Sequence, residues 1–164
     1  MKGADVERVY LDANVFIYAL EGTEELKAAA RTLLRGLKGR PGIGITSELT
    51  LAEVLAKPTR EGPPVLARAY LDLLIWSKTV VLQPVSRDIL IESASYRAVA
   101  RSEAPAPRED RRNFLPDAIH VVTAVQSGCT SFVGKDARIR LPSGMRRIFP
   151  DAPGVADLMG LLPR

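Results

Sequence analysis

Apolar positions along this chain follow two alternating rhythms. Short, unbroken apolar or β-branched runs recur at Val9-Tyr10-Leu11, Ile43-Gly44-Ile45, Thr79-Val80-Val81-Leu82 and residues 130–133. Runs this short and this apolar predict strands buried on both faces. Between them the spacing lengthens to that of a helix. Positions 26, 29, 30, 33, 34 and 37 are apolar and share one face, and Gly39, Pro41 and Gly42 end that helix. A shorter helix over 15–20 follows an Asp or Asn cap. Thr46 or Ser47 caps a helix that is expected to stop before Pro58, and Pro63 and Pro64 open another whose body runs over 66–76. Ser86 caps a helix reaching about Ala100, and residues 101–113, polar and Pro-containing, read as a loop. Pro116 suits the first turn of a helix over 117–126, with Gly128 just past its end. A weaker strand over 147–149 and a helix over 155–161 close the chain. Strands alternating with helices predict an α/β fold, a parallel sheet covered on both faces. The expected organisation is one domain over 1–164, with a core at about 8–137 and a closing strand and helix within 145–162.

Composition narrows the class. The 164 residues are 46% hydrophobic and 26% charged, ordinary for a globular protein. No apolar run approaches the roughly 20 residues of a membrane helix. Asp5, Glu7, Arg8 and Asp12 interrupt any secretory core after Lys2. The one cysteine, Cys129, has no internal disulfide partner and reads as a buried, inert thiol. A cytoplasmic protein with no membrane association is the expectation.

Acidic residues stand where apolar runs end or helices begin. Asp12 closes the first strand, Asp117 follows Pro116, and Asp136 follows Ser131-Phe132-Val133-Gly134-Lys135. Glu53 lies within the third helix. If the runs are parallel neighbours, Asp12 and Asp136 emerge at the carboxyl edge of one sheet, where open α/β folds place ligands. Carboxylates gathered there repel one another unless a divalent cation neutralises them, so the pattern reads as a hard-metal site.

Each acid also has a plain structural reading. Asp12 and Asn14 are good helix caps. Asp117 gains from the positive end of its helix, and Asp136 suits a turn. Glu48 and Glu53 sit about 140° apart around their helix, so at most one joins a site, and spacing does not choose. His120, the only histidine, shares a helix face with Asp117 and reads first as a packed or capping imidazole, ahead of a ligand or general acid. The formal charge is +4, and setting aside four acids of a metal site raises the remainder to +8, a basic body suited to a polyanion.

At these residues the chain resembles the PIN-domain nucleases, in particular VapC-type toxins of VapBC toxin–antitoxin pairs. The resemblance rests on the residues around Val9-Tyr10-Leu11-Asp12-Ala13-Asn14, Leu51-Ala52-Glu53-Val54-Leu55, Leu115-Pro116-Asp117-Ala118-Ile119-His120 and Phe132-Val133-Gly134-Lys135-Asp136, in order over about 8–137. It implies a three-layer fold whose five-stranded parallel sheet runs 3-2-1-4-5. It also implies a Mg²⁺- or Mn²⁺-dependent ribonuclease whose acidic quartet is Asp12, Glu53, Asp117 and Asp136, selecting Glu53 over Glu48. Asn14 matches a position that orders the first carboxylate and the substrate. Asp12 and Asp117 are the expected metal ligands, with Glu53 and Asp136 binding a second ion or orienting water. Products with a 5′-phosphate and a 3′-hydroxyl, a cognate antitoxin and a homodimer are further implications. The family often carries a small hydroxyl residue or Asn just before the last Asp, where this chain has Gly134 and Lys135.

Two other classes fit parts of the pattern. A metal-dependent phosphatase wants a second acid two residues after its nucleophile, where Asn14 stands. A non-catalytic module would keep the fold and bind RNA or protein. Residues 101–113 hold Arg101, Arg108, Arg111 and Arg112 against Glu103, Glu109 and Asp110, and read as a solvated loop ahead of an RNA-holding one.

Overall fold

Strand β1 (Val9–Leu11) is the centre of the molecule, hydrogen-bonded to β2 (Gly44–Ser47) on one side and β4 (Ser131–Val133) on the other. Strand β3 (Val81–Gln83) extends the sheet beyond β2, and β5 (Arg146–Ile148) extends it beyond β4. All pairings are parallel, and the order is β3-β2-β1-β4-β5, as the resemblance implied. The computed structural model describes residues 7–103 and 114–162.

Side chains alternate across the pleat. Val9, Leu11, Ile43 and Val133 face a core built with α1 (Ala13–Glu21), α2 (Glu24–Leu37), α3 (Leu49–Glu61), α4 (Pro64–Leu71) and α7 (Ala152–Leu161). Tyr10, Ile45 and Phe132 face the other side, where α6 (Phe114–Gln126) supplies Val121 and Ala124, and α5 (Arg87–Glu103) packs on α6. Three layers result. No helix of the described residues is long and apolar enough to cross a membrane. Cys129 is buried, and burial pushes its thiol up to about 12, too high for a nucleophile at neutral pH.

The structure departs from the sequence reading at several boundaries. Helix α3 does not stop before Pro58 but continues through it to Glu61. Proline costs the Val54 carbonyl its usual donor, yet Val54 and Pro58 lie together on the buried side, and Gly62 N caps the Pro58 carbonyl at 3.1 Å. The helix expected over 66–76 is α4 followed by a π-turn, Asp72–Trp76, closed by Ser77 N donating to the Asp72 carbonyl at 2.8 Å. Lys78 then takes a left-handed conformation, φ 53°, and the Ser77 hydroxyl accepts from Thr79 N, so β3 begins at Val81 and not Thr79. Strand β5 likewise ends at Ile148, leaving Phe149 exposed. Helix α5 runs past Ala100 to Glu103, so the first three residues of the expected 101–113 loop are helical, and 104–113 lie outside the described residues.

Candidate metal and catalytic site

Asp12 is the first residue beyond β1, and its backbone N donates to the Val133 carbonyl at 2.9 Å. Its φ of −70° and ψ of 158° place it as the N-cap of α1, where Oδ1 accepts from Ala13 N at 2.8 Å. Asn14 Nδ2 donates to the other oxygen, Oδ2, at 2.7 Å. Both structural reasons for an acid here therefore operate, and the carboxylate is nevertheless turned inward, only 5% exposed. Across the β1–β2 seam, Thr46 Oγ1 donates to the Leu11 carbonyl at 2.7 Å and lies 2.9 Å from Thr50 Oγ1, which pins the start of α3 beside the end of β1.

That arrangement brings Glu53 in. Its Oε2 lies 2.8 Å from His120 Nε2, and the same imidazole nitrogen is 3.7 Å from Asp12 Oδ1. Ligand atoms of Asp12, Glu53 and His120 all fall within 4.8 Å of one another. Glu48, one turn away, is exposed to solvent, so the geometry favours Glu53 where spacing could not choose.

His120 departs from its first reading as a mere packing group. It is buried in α6, with Nδ1 2.6 Å from the Tyr10 hydroxyl, which in turn accepts from Ser47 N at 3.1 Å. Burial pushes the imidazole pKa down, but the Glu53 hydrogen bond and the charges of Asp12, Glu53 and Asp117 outweigh it, and the net shift is upward. Tyr10 is fully buried and its phenol is pushed far up by burial and by the Asp12 charge. Sequence reasoning missed Tyr10 and ranked His120 as a ligand or general acid behind a packed or capping imidazole. The available signal was their spacing, with Tyr10 two positions before one site acid and His120 three positions after another.

Asp117, in the first turn of α6, completes the acid cluster electrostatically. Its carboxyl is pushed up to about 6, first by burial, then by the charges of Asp12, Asp136 and Glu53, against a smaller opposing pull from His120. Burial and the neighbouring carboxylates together favour the neutral form of Asp117. Asp136 stands differently. Arg138 forks onto it, Nε to Oδ1 at 3.0 Å and Nη2 to Oδ2 at 2.8 Å, while Arg138 N also donates to Oδ1 at 2.9 Å. The Arg138 fork chiefly lowers the Asp136 pKa. Asp136 thus occupies the turn that the sequence allowed for, within the electrostatic reach of Asp117 but bound to its own arginine. Lys135 is exposed, its Nζ 6.0 Å from the centre of the Tyr18 ring.

The donor set fits a small divalent cation. Asp12, Glu53 and His120 offer ligand atoms within 4.8 Å of one another, and burial together with the neighbouring carboxylates raises the proton affinity of Asp117, an energetic cost that a cation would relieve.

A parallel sheet with a cluster of acids over its carboxyl edge defines the class as an α/β protein with an acidic site at the edge where such folds place their ligands. The sequence pattern of the PIN domain matches residues 9–143, and the chain belongs to that family. Among solved structures it is similar to VapC20 of Mycobacterium tuberculosis, described as a sarcin-ricin loop cleaving toxin, with a TM-score of 0.54 and 15% identity over 76% of this chain and 86% of that one. It is also similar to the DNA-bound VapBC of Salmonella typhimurium, with a TM-score of 0.57 and 17% identity over 88% of this chain and 99% of that one. At such identities the likeness is one of fold. No curated protein matches the sequence.

Proposed function

We propose that this protein is a divalent-metal-dependent endoribonuclease, the toxin half of a toxin–antitoxin pair. The observation that carries the reading is the convergence of Asp12 and Glu53, with Asp117 driven up to about 6 beside them, at the carboxyl edge of a PIN-domain sheet. Cleavage of RNA is supported by family membership and by the fold shared with a toxin that cleaves the sarcin-ricin loop. An antitoxin partner is supported by the likeness to a VapBC complex, and a homodimer belongs to the same reading.

Asp12 and Asp117 would hold Mg²⁺ or Mn²⁺. An ion held there would lower the pKa of a bound water and offset charge on the phosphoryl oxygens. The protein's own groups do the rest. Asn14 keeps Asp12 from rotating. Glu53, gripped by His120, would hold a water bound to the ion and take its proton in the attack, so it supports metal binding as well as proton transfer. Asp136 anchors the rim, and the exposed Arg138 guanidinium on it presents positive charge to an incoming phosphate. The P–O3′ bond then breaks, leaving the phosphate on the 5′ side, and the departing 3′-oxygen takes a proton from solvent water to give the 3′-hydroxyl. A phosphatase is not favoured, because the residue two positions after Asp12 donates to it as an amide and supplies no second acid.

The test is cleavage of structured and unstructured RNAs by the purified chain with Mg²⁺, Mn²⁺ or chelator. Asp12→Asn keeps a capping side chain, so it and Asp117→Asn should fold normally and lose cleavage by at least about a hundredfold. Wild-type rates in both variants would end the nuclease reading.

A further inference from the structure

We propose that Tyr10 and His120 are positioning residues that fix Glu53, through a directional hydrogen-bond chain starting at the backbone of β2. The proposal rests on the metal-dependent nuclease reading and adds two residues to it.

The direction of the chain follows from donor accounting. Ser47 N can only donate, so at 3.1 Å the Tyr10 oxygen accepts from it. The phenol's own hydrogen is then free to point at His120 Nδ1, 2.6 Å away. With Nδ1 accepting, the imidazole hydrogen resides on Nε2, which donates to Glu53 Oε2 at 2.8 Å. A doubly protonated ring presents the same Nε2 hydrogen to Glu53 and reverses only the Tyr10 link, with Nδ1–H donating to the phenol oxygen, so the grip on Glu53 does not depend on the charge of the ring. Both intermediate groups are almost wholly buried, Tyr10 at 0% and His120 at 1% exposure, and both rings are held in place. Tyr10 stacks on Phe132 of the neighbouring strand, centroids 5.1 Å apart at 21°, and meets His120 edge-on at 5.8 Å. Only the far end of the chain, Glu53, reaches solvent, with its side chain 31% exposed. A buried relay that terminates on one oxygen of a partly exposed carboxylate leaves the other oxygen free and limits its freedom to rotate. Groups that orient ligating or water-holding carboxylates in this way contribute to metal affinity although they never touch the ion.

The experiment is Mn²⁺ titration of the purified full chain at fixed pH, by electron paramagnetic resonance, with kcat on RNA measured alongside and folding checked by circular dichroism. Tyr10→Phe keeps the ring and its stack and removes only the oxygen. It and His120→Leu should weaken Mn²⁺ by roughly 10–100-fold and lower kcat in step. His120→Gln, whose amide can again donate to Glu53, should recover to within about threefold of wild type. In a Glu53→Ala background, Tyr10→Phe should have no further effect on Mn²⁺ affinity, because the end of the chain is gone. If His120→Leu does not fold, Tyr10→Phe and its double variant carry the test. Wild-type Mn²⁺ affinity in Tyr10→Phe, or an undiminished Tyr10→Phe penalty without Glu53, overturns the positioning role and leaves the nuclease reading standing. Failure of the wild-type protein to bind Mn²⁺ at all would overturn both.

Discussion

Gly134 lies directly against Asp12. A Cβ at position 134 would stand 3.3 Å from both Cβ and Oδ2 of Asp12, and 2.9 Å from the Phe132 ring. Gly134 is buried at the end of β4, with its N donating to the Ile148 carbonyl at 3.1 Å, so the backbone cannot easily withdraw. Glycine here thus leaves room for the Asp12 carboxylate. Gly134→Val should push the Asp12 carboxylate off its Ala13 and Asn14 contacts and cost about 1–3 kcal/mol of stability through overpacking. Mn²⁺ affinity should fall in the same variant. Denaturant unfolding and Mn²⁺ titration measure the two effects, and an unchanged affinity would show that Asp12 is not held by this contact.

Asp117 predicts an inverted pH dependence of stability in the metal-free protein. Unfolded, its carboxyl ionises near the ordinary aspartate value of 3.8; folded, it holds its proton to about 6. The unfolded state therefore binds fewer protons in that interval, and stability falls as pH rises from about 4 to 6. Four other shifts, three of them in lowered carboxyls, act outside the upper part of this window. The lowered carboxyls of Glu7, Glu21 and Asp136 contribute stability that is lost only as pH falls below their ordinary values. The raised His120 contributes stability that persists below 6.5 and is lost as pH rises through its higher folded value. Melting curves in chelator between pH 4.5 and 6 should show wild type losing stability relative to Asp117→Asn, and Mn²⁺ should reverse the loss. Parallel curves for the two proteins would contradict the crowding of charge at this position.

Much of this arrangement was legible in the chain. The apolar runs at β1, β2 and β4 are buried on both faces and have no polar alternation to obscure them. The stripe of α2 likewise follows from its amphipathic face. Boundaries set by tertiary contacts were less visible. Pro58 reads as a stop, yet its burial in α3 carries the helix past it. The start of β3 depends on a left-handed Lys78 and a Ser77 hydroxyl bond, which no pattern of hydrophobicity encodes. In the site, Asp12 and Asp117 were legible because strand and helix ends fix them. Glu53 needed the family resemblance, since helical spacing alone leaves it equivalent to Glu48. Tyr10 was hidden because it looks like ordinary core, His120 was visible only as a residue sharing a face with Asp117, and only the fold shows that their polar atoms meet.

Asp136 and Arg138 predict a graded contribution among the acids. Both Asp136 oxygens are taken by Arg138, whose side chain is 75% exposed, and an exposed pair of this kind is worth about 0–1 kcal/mol. Asp136→Asn keeps an oxygen for the Arg138 backbone N–H and should leave the melting temperature nearly unchanged. Its loss of cleavage should be smaller than that of Asp12→Asn. Arg138→Gln should weaken RNA binding and reduce its salt dependence, with Mn²⁺ affinity unaffected. Equal loss of Mn²⁺ binding in Asp136→Asn and Asp12→Asn would instead place Asp136 among the direct ligands.

Asn14 offers the sharpest charge test. Its amide donates to Asp12 Oδ2 at 2.7 Å, a bond to a charged acceptor in a partly buried setting. Such bonds contribute about 1.5–3 kcal/mol, so Asn14→Ala should free Asp12 to rotate and lower kcat by roughly 10–100-fold. Asn14→Asp does something different. It sets a second carboxylate against the first where Asp117 and Glu53 already add negative charge. The metal-free variant should melt below wild type at neutral pH and recover as pH falls far enough to protonate one of the pair. Saturating Mn²⁺ should raise its melting temperature by more than it raises that of wild type, because the cation removes a larger repulsion. Equal metal-induced shifts in the two proteins would mean that the added carboxylate and the bound ion do not share one electrostatic site.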